Sequence, residues 1–428
     1  MKSILIRYVL IWFAVCAIGT VGAGYSTVRA QDPDPDPSPT PAGTTAQPEP
    51  SPVEYFVRDV PHWPEIRKST FTLRVAIGFL LDYSVFSQDL TNIKQVGKQL
   101  NGWNVRDARL LLFGTFGRKY KVGYFFAATY KGFDANPNRL WDILDAYLTF
   151  PLPDKRTNVM VGKMKQTFDM EMVGDAASFP QQERLLSPFF VNRDLGIKAI
   201  HFTKNRRMTM AAGIFNGKLL RDNTAQHAGT DFTARVTGLP WDKQEDNRFL
   251  HLGIAYRYAS PDDGTLRYKG RPETNVGPYY FDTGNIPAKH ANHIGLEFLL
   301  NVKNVSVLGE YNHAWVDSPT LGNPQFEAFY VESSWIITGE TRPYDPTVGY
   351  PRRIIPKHSW GSWEVVSRIG RVDDRFLQSG SFAKTYLGVN WWASRQWKFG
   401  IGWGHTWLER SDMNGSTNSV LSRMQWVY

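Results

Sequence analysis

Lysine and arginine recur at alternating positions of several apolar–polar stretches, and this spacing could bind anions. Lys163 and Lys165 share one face of such a stretch, directly before a long connection. Arginine suits phosphate because its planar fork presents paired donors. The cations predicted to face inward or to lie on the long connections are Lys163, Lys165, Arg184, Arg193, Lys198, Arg109, Arg74, Arg257, Arg271, Arg342 and Arg368. Lys163 and Lys165 are predicted to form the constriction.

Acidic residues occupy equivalent positions in the second half of the chain. Glu297, Glu310, Glu332 and Glu364 fall on four successive alternating stretches and are predicted to face inward. Inward acids nearly balance inward bases, so the net charge of +9 does not establish a preference for anions. We expect a basic wall opposite an acidic wall, with a transverse field between them.

Other kinds of chemistry find less support in the sequence. Alternation places His201, His313 and His405 outward or at an interface, with no evident nucleophile beside them, which disfavours hydrolysis. The spacing of His, Cys and Asp predicts no metal site and no cofactor. Basic residues are spread over alternating stretches rather than gathered in one patch, so no nucleic-acid partner is predicted.

The elements that must position these residues are β-strands. Between residues 70 and 86, apolar side chains alternate with polar or small ones, as expected for a strand with one apolar and one wet face. The run exceeds the 9–11 residues or so that cross a bilayer in a barrel. Sixteen strands are predicted, centred near residues 78, 110, 125, 146, 162, 198, 211, 234, 254, 296, 309, 332, 366, 388, 402 and 423.

These strands predict an all-β fold, a sixteen-stranded antiparallel transmembrane β-barrel over residues 69–428. An even strand count brings both ends of the barrel to one side of the membrane. Aromatic residues crowd single strand faces, as in the stretch from Trp397 to Trp407, which is typical of girdles at the bilayer interfaces. The chain ends on Trp426, Val427 and Tyr428, and this tail is predicted to be the closing strand.

The N-terminal region predicts export. Residues 1–30 have a basic start, an apolar run and a small-residue cleavage site, as in a secretory signal peptide. The only cysteine, Cys16, lies there, so no thiol chemistry is expected in the mature chain. Residues 31–52 form a Pro-rich segment that we expect to be a disordered linker, and 53–68 a short periplasmic segment.

Three connections are long, at 169–192, 260–291 and 339–359. Loops of this length in a compact domain are usually functional. In a barrel of sixteen strands the lumen is an aqueous channel, which such connections can enter and narrow.

Several stretches resemble the phosphate- and polyphosphate-selective porins of the bacterial outer membrane (the porin O and P family). They are VGKMKQTF at 161–168, RDLG at 193–196, RPE at 271–273, FDTGN at 281–285, YVESSWIITGETRPYD at 330–345 and WGSWE at 360–364. The resemblance implies a homotrimer of sixteen-stranded barrels, with two extracellular loops and one periplasmic turn in each lumen. It also implies passive passage of phosphate, polyphosphate or other small anions, with outer-membrane lipid around the barrel.

Three alternatives stay open at this point. A general diffusion porin with weak ion selectivity would fit the nearly balanced lumen. A barrel hydrolase would share the fold but needs a nucleophile and base close together. A structural outer-membrane protein would fit the Pro-rich linker.

Overall fold

A closed antiparallel β-barrel accounts for nearly all of the regular structure in this computed structural model. The structure describes residues 65–130, 140–189, 193–216, 229–374, 376–377 and 379–428. The predicted signal peptide, the Pro-rich linker and residues 53–64 lie outside the described residues.

Sixteen long strands form the wall, each paired with the next along the chain. They are β2 (Phe71–Gln88), β3 (Gly102–Phe116), β4 (Val122–Tyr130), β5 (Trp141–Pro151), β6 (Thr157–Lys165), β7 (Arg193–Phe202), β8 (Met208–Asn216), β9 (Gly229–Lys243), β10 (Arg248–Pro261), β15 (His290–Val302), β16 (Val305–Asp317), β17 (Gln325–Ile336), β20 (Ser362–Asp374), β21 (Ser381–Trp392), β22 (Trp397–Arg410) and β23 (Met413–Val427). Every predicted strand centre falls inside one of these strands, so the predicted fold is confirmed.

Shorter elements complete the fold. They are β1 (Glu65–Lys68), α1 (Leu90–Val96), α2 (Met170–Val173), β11 (Thr265–Leu266), β12 (Lys269–Gly270), β13 (Phe281–Asp282), β14 (Ile286–Pro287), β18 (Tyr344–Asp345) and β19 (Tyr350–Pro351), with 3-10 turns at Ser187–Phe189, Gln244–Asp246 and Pro319–Leu321. Strand β1 pairs antiparallel with β2. Within the described residues the sheet therefore includes Glu65–Lys68, which lie in the segment that the sequence placed ahead of the barrel.

The barrel closes where the last strand meets the first long one. Strand β23 pairs with β2 from Gly78 to Gln88, and the backbones of Ile77 and Tyr428 exchange two hydrogen bonds of 2.7 and 2.8 Å. The C-terminal tail is thus the closing strand, as predicted. Short turns lie at the same end of the barrel as this junction, and in barrels of this kind they mark the periplasmic side.

Three inner segments fill much of the lumen. The first (166–189) and second (262–289) descend from the end with the long loops, and the third (337–361) enters from the end with the short turns. Apolar side chains of the first two segments pack against the inner faces of β15–β17 and β21 in a buried core that includes Phe168, Phe189, Tyr280, Phe326 and Phe382. The predicted entry of long connections into the lumen is confirmed.

The outer face of the wall is apolar. Exposed side chains at alternate positions include Ile254, Leu296, Ile401 and Trp403, while their neighbours in sequence are more deeply buried. Rows of aromatic rings, such as Trp397 stacked on Phe399, lie near the strand ends. In the described part of the chain, no helix is both long and apolar enough to cross a membrane.

Candidate functional site

A cavity of about 220 Å³ remains in the lumen between one half of the wall and two inner segments. Strands β2 to β9 form its outer side, and the first and third inner segments form its inner side. The other half of the lumen is occupied by the apolar core described above.

The side chains around this cavity carry an excess of positive charge. Three aspartates, Asp107, Asp145 and Asp175, lie among seven cations, a formal net charge of +4. The cations are Arg109, Lys165, Arg193, Lys198, Arg235, Arg352 and Arg353. Burial raises the pKa of Asp175, but Lys165 and Arg109 outweigh it and lower this pKa overall. Asp175 is therefore ionised at neutral pH and contributes a full negative charge to the net charge of the cavity lining.

Two lysines of the cavity lining lie on the neighbouring strands β6 and β7. Lys165 is the last residue of β6, and its Nζ donates to the carbonyl of Gly174 in the first inner segment at 2.7 Å. Lys198 of β7 donates to the carbonyl of Lys165 at 2.9 Å. Both ammonium groups are thus fixed where the wall meets the segment.

The predicted pair Lys163 and Lys165 is split by the structure. Lys163 lies two residues after Val161, an exposed residue of the outer face, so both residues are on the same face of β6. The Nζ of Lys163 donates to the carbonyl of Ile143 at 2.6 Å. Lys165 lines the cavity, and Lys163 is outside that lining. The expectation that Lys163 shares a polar inward face is wrong, because Val159 and Val161 share its face of β6. Lys165 follows the same alternation, but it is the last residue of the strand and its Nζ reaches the first inner segment.

Arg368 holds two inner segments to the wall. Its guanidinium donates to Glu171 of the first segment at 2.6 Å and also to Glu273 of the second. It bonds Glu332 on the neighbouring strand at 3.3 Å and stacks on the ring of Tyr330. Arg368 is fully buried, so it acts as a clamp rather than as a group open to passing ions.

The remaining predicted cations also bind protein groups. Arg342 donates to Glu364 and to the carbonyl of Ser178, joining the third segment to the wall and to the first. Further contacts of this kind are Arg184 with the carbonyl of Glu171 (2.6 Å), Arg257 with Asp231 (3.0 Å), Arg271 with the carbonyl of Gly277 (2.9 Å) and Arg74 with Glu65 (3.1 Å). Of the eleven predicted cations, Arg109, Lys165, Arg193 and Lys198 line the cavity.

The four predicted glutamates lie in the filled half of the lumen, outside the cavity lining. Glu297 bonds Arg235 at 2.9 Å, Glu332 bonds Arg368, and Glu364 bonds Arg342. Glu310 accepts from the amide of Met170 and the hydroxyl of Tyr330, both at 2.5 Å. The expected acidic wall therefore does not face the basic wall across open space.

Arg106 is a buried, inward-facing cation that is absent from the residues predicted from the sequence. Its Nε and Nη2 donate to the Glu183 carboxylate of the first inner segment at 2.7 and 3.0 Å. A β-bulge in β3, between the pairs Leu80–Asp107 and Leu81–Val105, leaves Arg106 as the extra residue. Simple alternation fails there, because the bulge lets Arg106 and Asp107 both turn inward.

Burial would raise the pKa of Glu183, but Arg106 and then Arg423 outweigh it and lower the pKa from 4.5 to about 2. Arg423 itself bonds Asp82 at 2.7 Å, and Lys384 donates to the carbonyl of Pro272 at 2.8 Å. Arg423 and Lys384 were not among the predicted residues, although the alternation of their strands places both of them on the inward face. Together these cations fix the first and second inner segments against the wall.

A closed sixteen-stranded barrel with an apolar outer face, polar inner wall and inward-folded loops defines a porin-type channel of the outer membrane. The particular family follows from the sequence. Residues 75–428 match the family "Phosphate-selective porin O and P", and the chain belongs to it. The resemblance noted from the sequence motifs is thus confirmed. No curated protein sequence matches the chain.

Solved structures share the fold at low sequence identity. OmpT, an outer membrane protein of Vibrio cholerae, superposes with a TM-score of 0.55 at 8% identity, covering 85% of this chain and 99% of that one. The outer membrane channel DcaP of Acinetobacter baumannii gives 0.53 at 11%, covering 85% and 99%. A porin from Comamonas acidovorans gives 0.51 at 12%, covering 84% and 100%. At these identities the likeness concerns the fold.

Proposed function

We propose that the chain forms a passive, water-filled channel selective for small anions, most of all phosphate or polyphosphate. The observation that carries this proposal is the lumenal cavity with seven cations and three aspartates in its lining. Cations on a wetted wall replace part of an anion's hydration shell, and flow requires that the binding stay weak enough for release. The family's description as phosphate-selective and the Comamonas acidovorans porin's description as anion-selective support this reading.

Lys165 and Lys198 are the residues that we propose bind the anion at the constriction. The Lys165 ammonium is anchored by the carbonyl of Gly174 at 2.7 Å and more weakly by that of Val173 at 3.5 Å, and the Lys198 ammonium by the carbonyl of Lys165 at 2.9 Å. A lysine has three donors, so these bonds need not use all of them. Arg109 and Arg193 flank them on neighbouring strands of the same cavity. Among the remaining predicted cations, Arg257, Arg342 and Arg368 hold the inner segments to the wall, which sets the width of the path. Arg184 and Arg271 bond carbonyls within their own segments.

The proposal is tested by ion selectivity and by block in planar bilayers. With a KCl gradient, we expect a reversal potential that favours chloride, and added phosphate should reduce the chloride current. Lys165→Glu should weaken the phosphate block more than Lys398→Glu. Lys398 lies outside the cavity lining and donates to the carbonyl of Phe179, which makes it a matched control. Equal permeability for the two ions without phosphate block would reject the proposal.

A general diffusion channel with weak selectivity is the second candidate. It is favoured by one observation, the pairing of many inward charges with each other, as in Arg235–Glu297 and Arg423–Asp82. The fields of two opposite charges that lie close together largely cancel at longer distances, and salt screens what remains. In that case the reversal potential would stay near zero, and Lys165→Glu would leave it unchanged.

We further propose that the chain acts without catalysis, is exported by its N-terminal 30 residues and assembles as a homotrimer in the outer membrane. The porin family membership supports a channel over a barrel hydrolase. Mass spectrometry of the purified protein would test both export and assembly, through the mature N-terminus and the mass of the native complex. A monomer that keeps residues 1–30 would contradict both parts.

A further inference from the structure

A groove on the outer surface of the barrel lies near the periplasmic end, over β8, β9 and β10. Its floor includes Gly238, and its sides include the exposed apolar residues Met208, Val236, Leu252 and Ile254. The groove faces away from the lumen, so the pore does not use it. Nothing in the proposed transport pathway requires these residues.

A break in the strand pairing shapes this groove. The β9–β10 register shifts between Leu250 and Leu252, so two residues of β9, Leu239 and Pro240, oppose one residue of β10. Proline has no backbone donor, and a bulge bends the strand that carries it. Gly238 leaves the floor open, because a Cβ added there would meet nothing closer than 3.8 Å, the carbonyl oxygen of Arg207.

Basic side chains lie at the periplasmic end of the groove. Lys204 and Arg207, both exposed, come from the β7–β8 turn and form part of its lining. Arg207 lies near the carboxylate of Asp242, with Nε to Oδ2 at 3.5 Å. The two turns at this end, together with the strand residues that flank them, carry five cations and three acids, namely Lys204, Arg206, Arg207, Lys243 and Arg248 with Asp242, Glu245 and Asp246.

We propose that this groove binds an anionic phospholipid of the periplasmic leaflet. One acyl chain would lie along Val236, Leu252 and Ile254, and the phosphate would meet Lys204 and Arg207. The half-exposed Trp241 follows Pro240 in β9, and tryptophan is enriched at the headgroup level of a bilayer. Cations just beyond that level lie at the depth of lipid phosphates. The inference rests on the placement of the barrel in the outer membrane and is independent of the pore's ion preference.

Spin-labelled lipids test the proposal on the complete mature protein. The protein is reconstituted in phosphatidylcholine vesicles that contain a trace of spin-labelled phosphatidylglycerol or phosphatidylcholine, and the immobilised fraction is measured. One basic residue near a surface strengthens binding of anionic lipid roughly fivefold. Because Lys204 and Arg207 both contribute, the wild type should prefer phosphatidylglycerol by roughly 25-fold. The double variant Lys204→Gln/Arg207→Gln should lose this preference.

A second pair of cations provides the matched control. Arg118 and Lys119 lie in the β3–β4 turn, at the same end of the barrel but away from the groove. Arg118→Gln/Lys119→Gln should keep the preference, and Gly238→Trp, which fills the groove, should abolish it. The proposal is overturned if the wild type binds both lipids equally or if the control pair lowers the preference as much. It is also overturned if Gly238→Trp changes the number of subunits in native mass spectra, since this face would then be a subunit contact.

Discussion

Replacing Glu183 by Gln should release the first inner segment from the wall. The carboxylate of Glu183 receives two bonds from Arg106, at 2.7 and 3.0 Å, and one from the amide of Asn275 in the second segment at 2.7 Å. Glutamine keeps the size of the side chain but removes its charge. Arg106, which is fully buried, would keep the nearby Asp107 at 3.4 Å but lose its bidentate partner.

The pKa of Glu183 sets the size of this effect. A fall from 4.5 in the unfolded chain to about 2 in the folded protein corresponds to about 3 kcal/mol of stability. Because the folded pKa is the lower one, the contribution is complete above about pH 5.5 and is lost as the pH falls towards 2. At pH 3 roughly 1.4 kcal/mol should remain.

Urea unfolding in lipid vesicles, followed by tryptophan fluorescence, measures the free energy of unfolding. The difference between wild type and Glu183→Gln should be about 3 kcal/mol at pH 7.5 and should roughly halve at pH 3. The exposed Glu245 in a periplasmic turn provides the control, and Glu245→Gln should change stability by less than about 0.5 kcal/mol. Single-channel recordings should show a larger or noisier conductance for Glu183→Gln.

Either of two results would contradict the proposed role of the Glu183 charge. If Glu183→Gln is as stable as the wild type at pH 7.5, the ion pair with Arg106 does not hold the segment. A difference that stays constant from pH 7.5 to pH 3 would show that the lost stability comes from packing rather than from charge. Adding Arg106→Met to Glu183→Gln should recover part of the loss, because removing both buried charges is often nearly neutral.

Three further predictions concern other parts of the barrel. Arg368→Gln should lower the free energy of unfolding, measured in urea, by about 3–5 kcal/mol, because three buried carboxylates each lose a bond to the same cation. Arg371→Gln on the same strand should lower it by under about 1 kcal/mol. Glu332→Gln should leave the reversal potential unchanged, because Glu332 lies outside the cavity lining. A clear shift of the reversal potential would instead support the transverse field expected between a basic and an acidic wall. Gly162→Ala should reduce the folded, heat-modifiable band on gels. A Cβ at position 162 would lie 2.2 Å from the carbonyl oxygen of Ala146, and the backbone there has a φ of +135°. Gly102→Ala should leave the band unchanged, because a Cβ at that position would meet nothing within 4 Å.

The sequence predicted the wall of the barrel well, and it also predicted the three inner segments. The sixteen centres fall within observed strands because the period of two depends only on each strand having one apolar and one polar face. The terminal Tyr428 was correctly assigned to the closing strand for the same reason. The inner segments were recognisable by their length.

The roles of the charged residues were less predictable. Lys165 and Lys198 line the cavity as expected, whereas Lys163 does not. Alternation holds only while the pairing is regular, and the bulge that turns Arg106 inward has no clear signal in the sequence.

By itself the sequence determined that this chain forms a sixteen-stranded membrane barrel, because strand patterning is local and the bilayer imposes it on each strand separately. Only the tertiary structure decided which inward cations line the cavity and which clamp the inner segments. That choice depends on carboxylates distant in the chain, as when Arg368 binds Glu171, 197 residues away, and Arg106 binds Glu183, 77 residues away. Contacts of such separation leave no periodicity, so they emerge only when the segments are packed into the lumen.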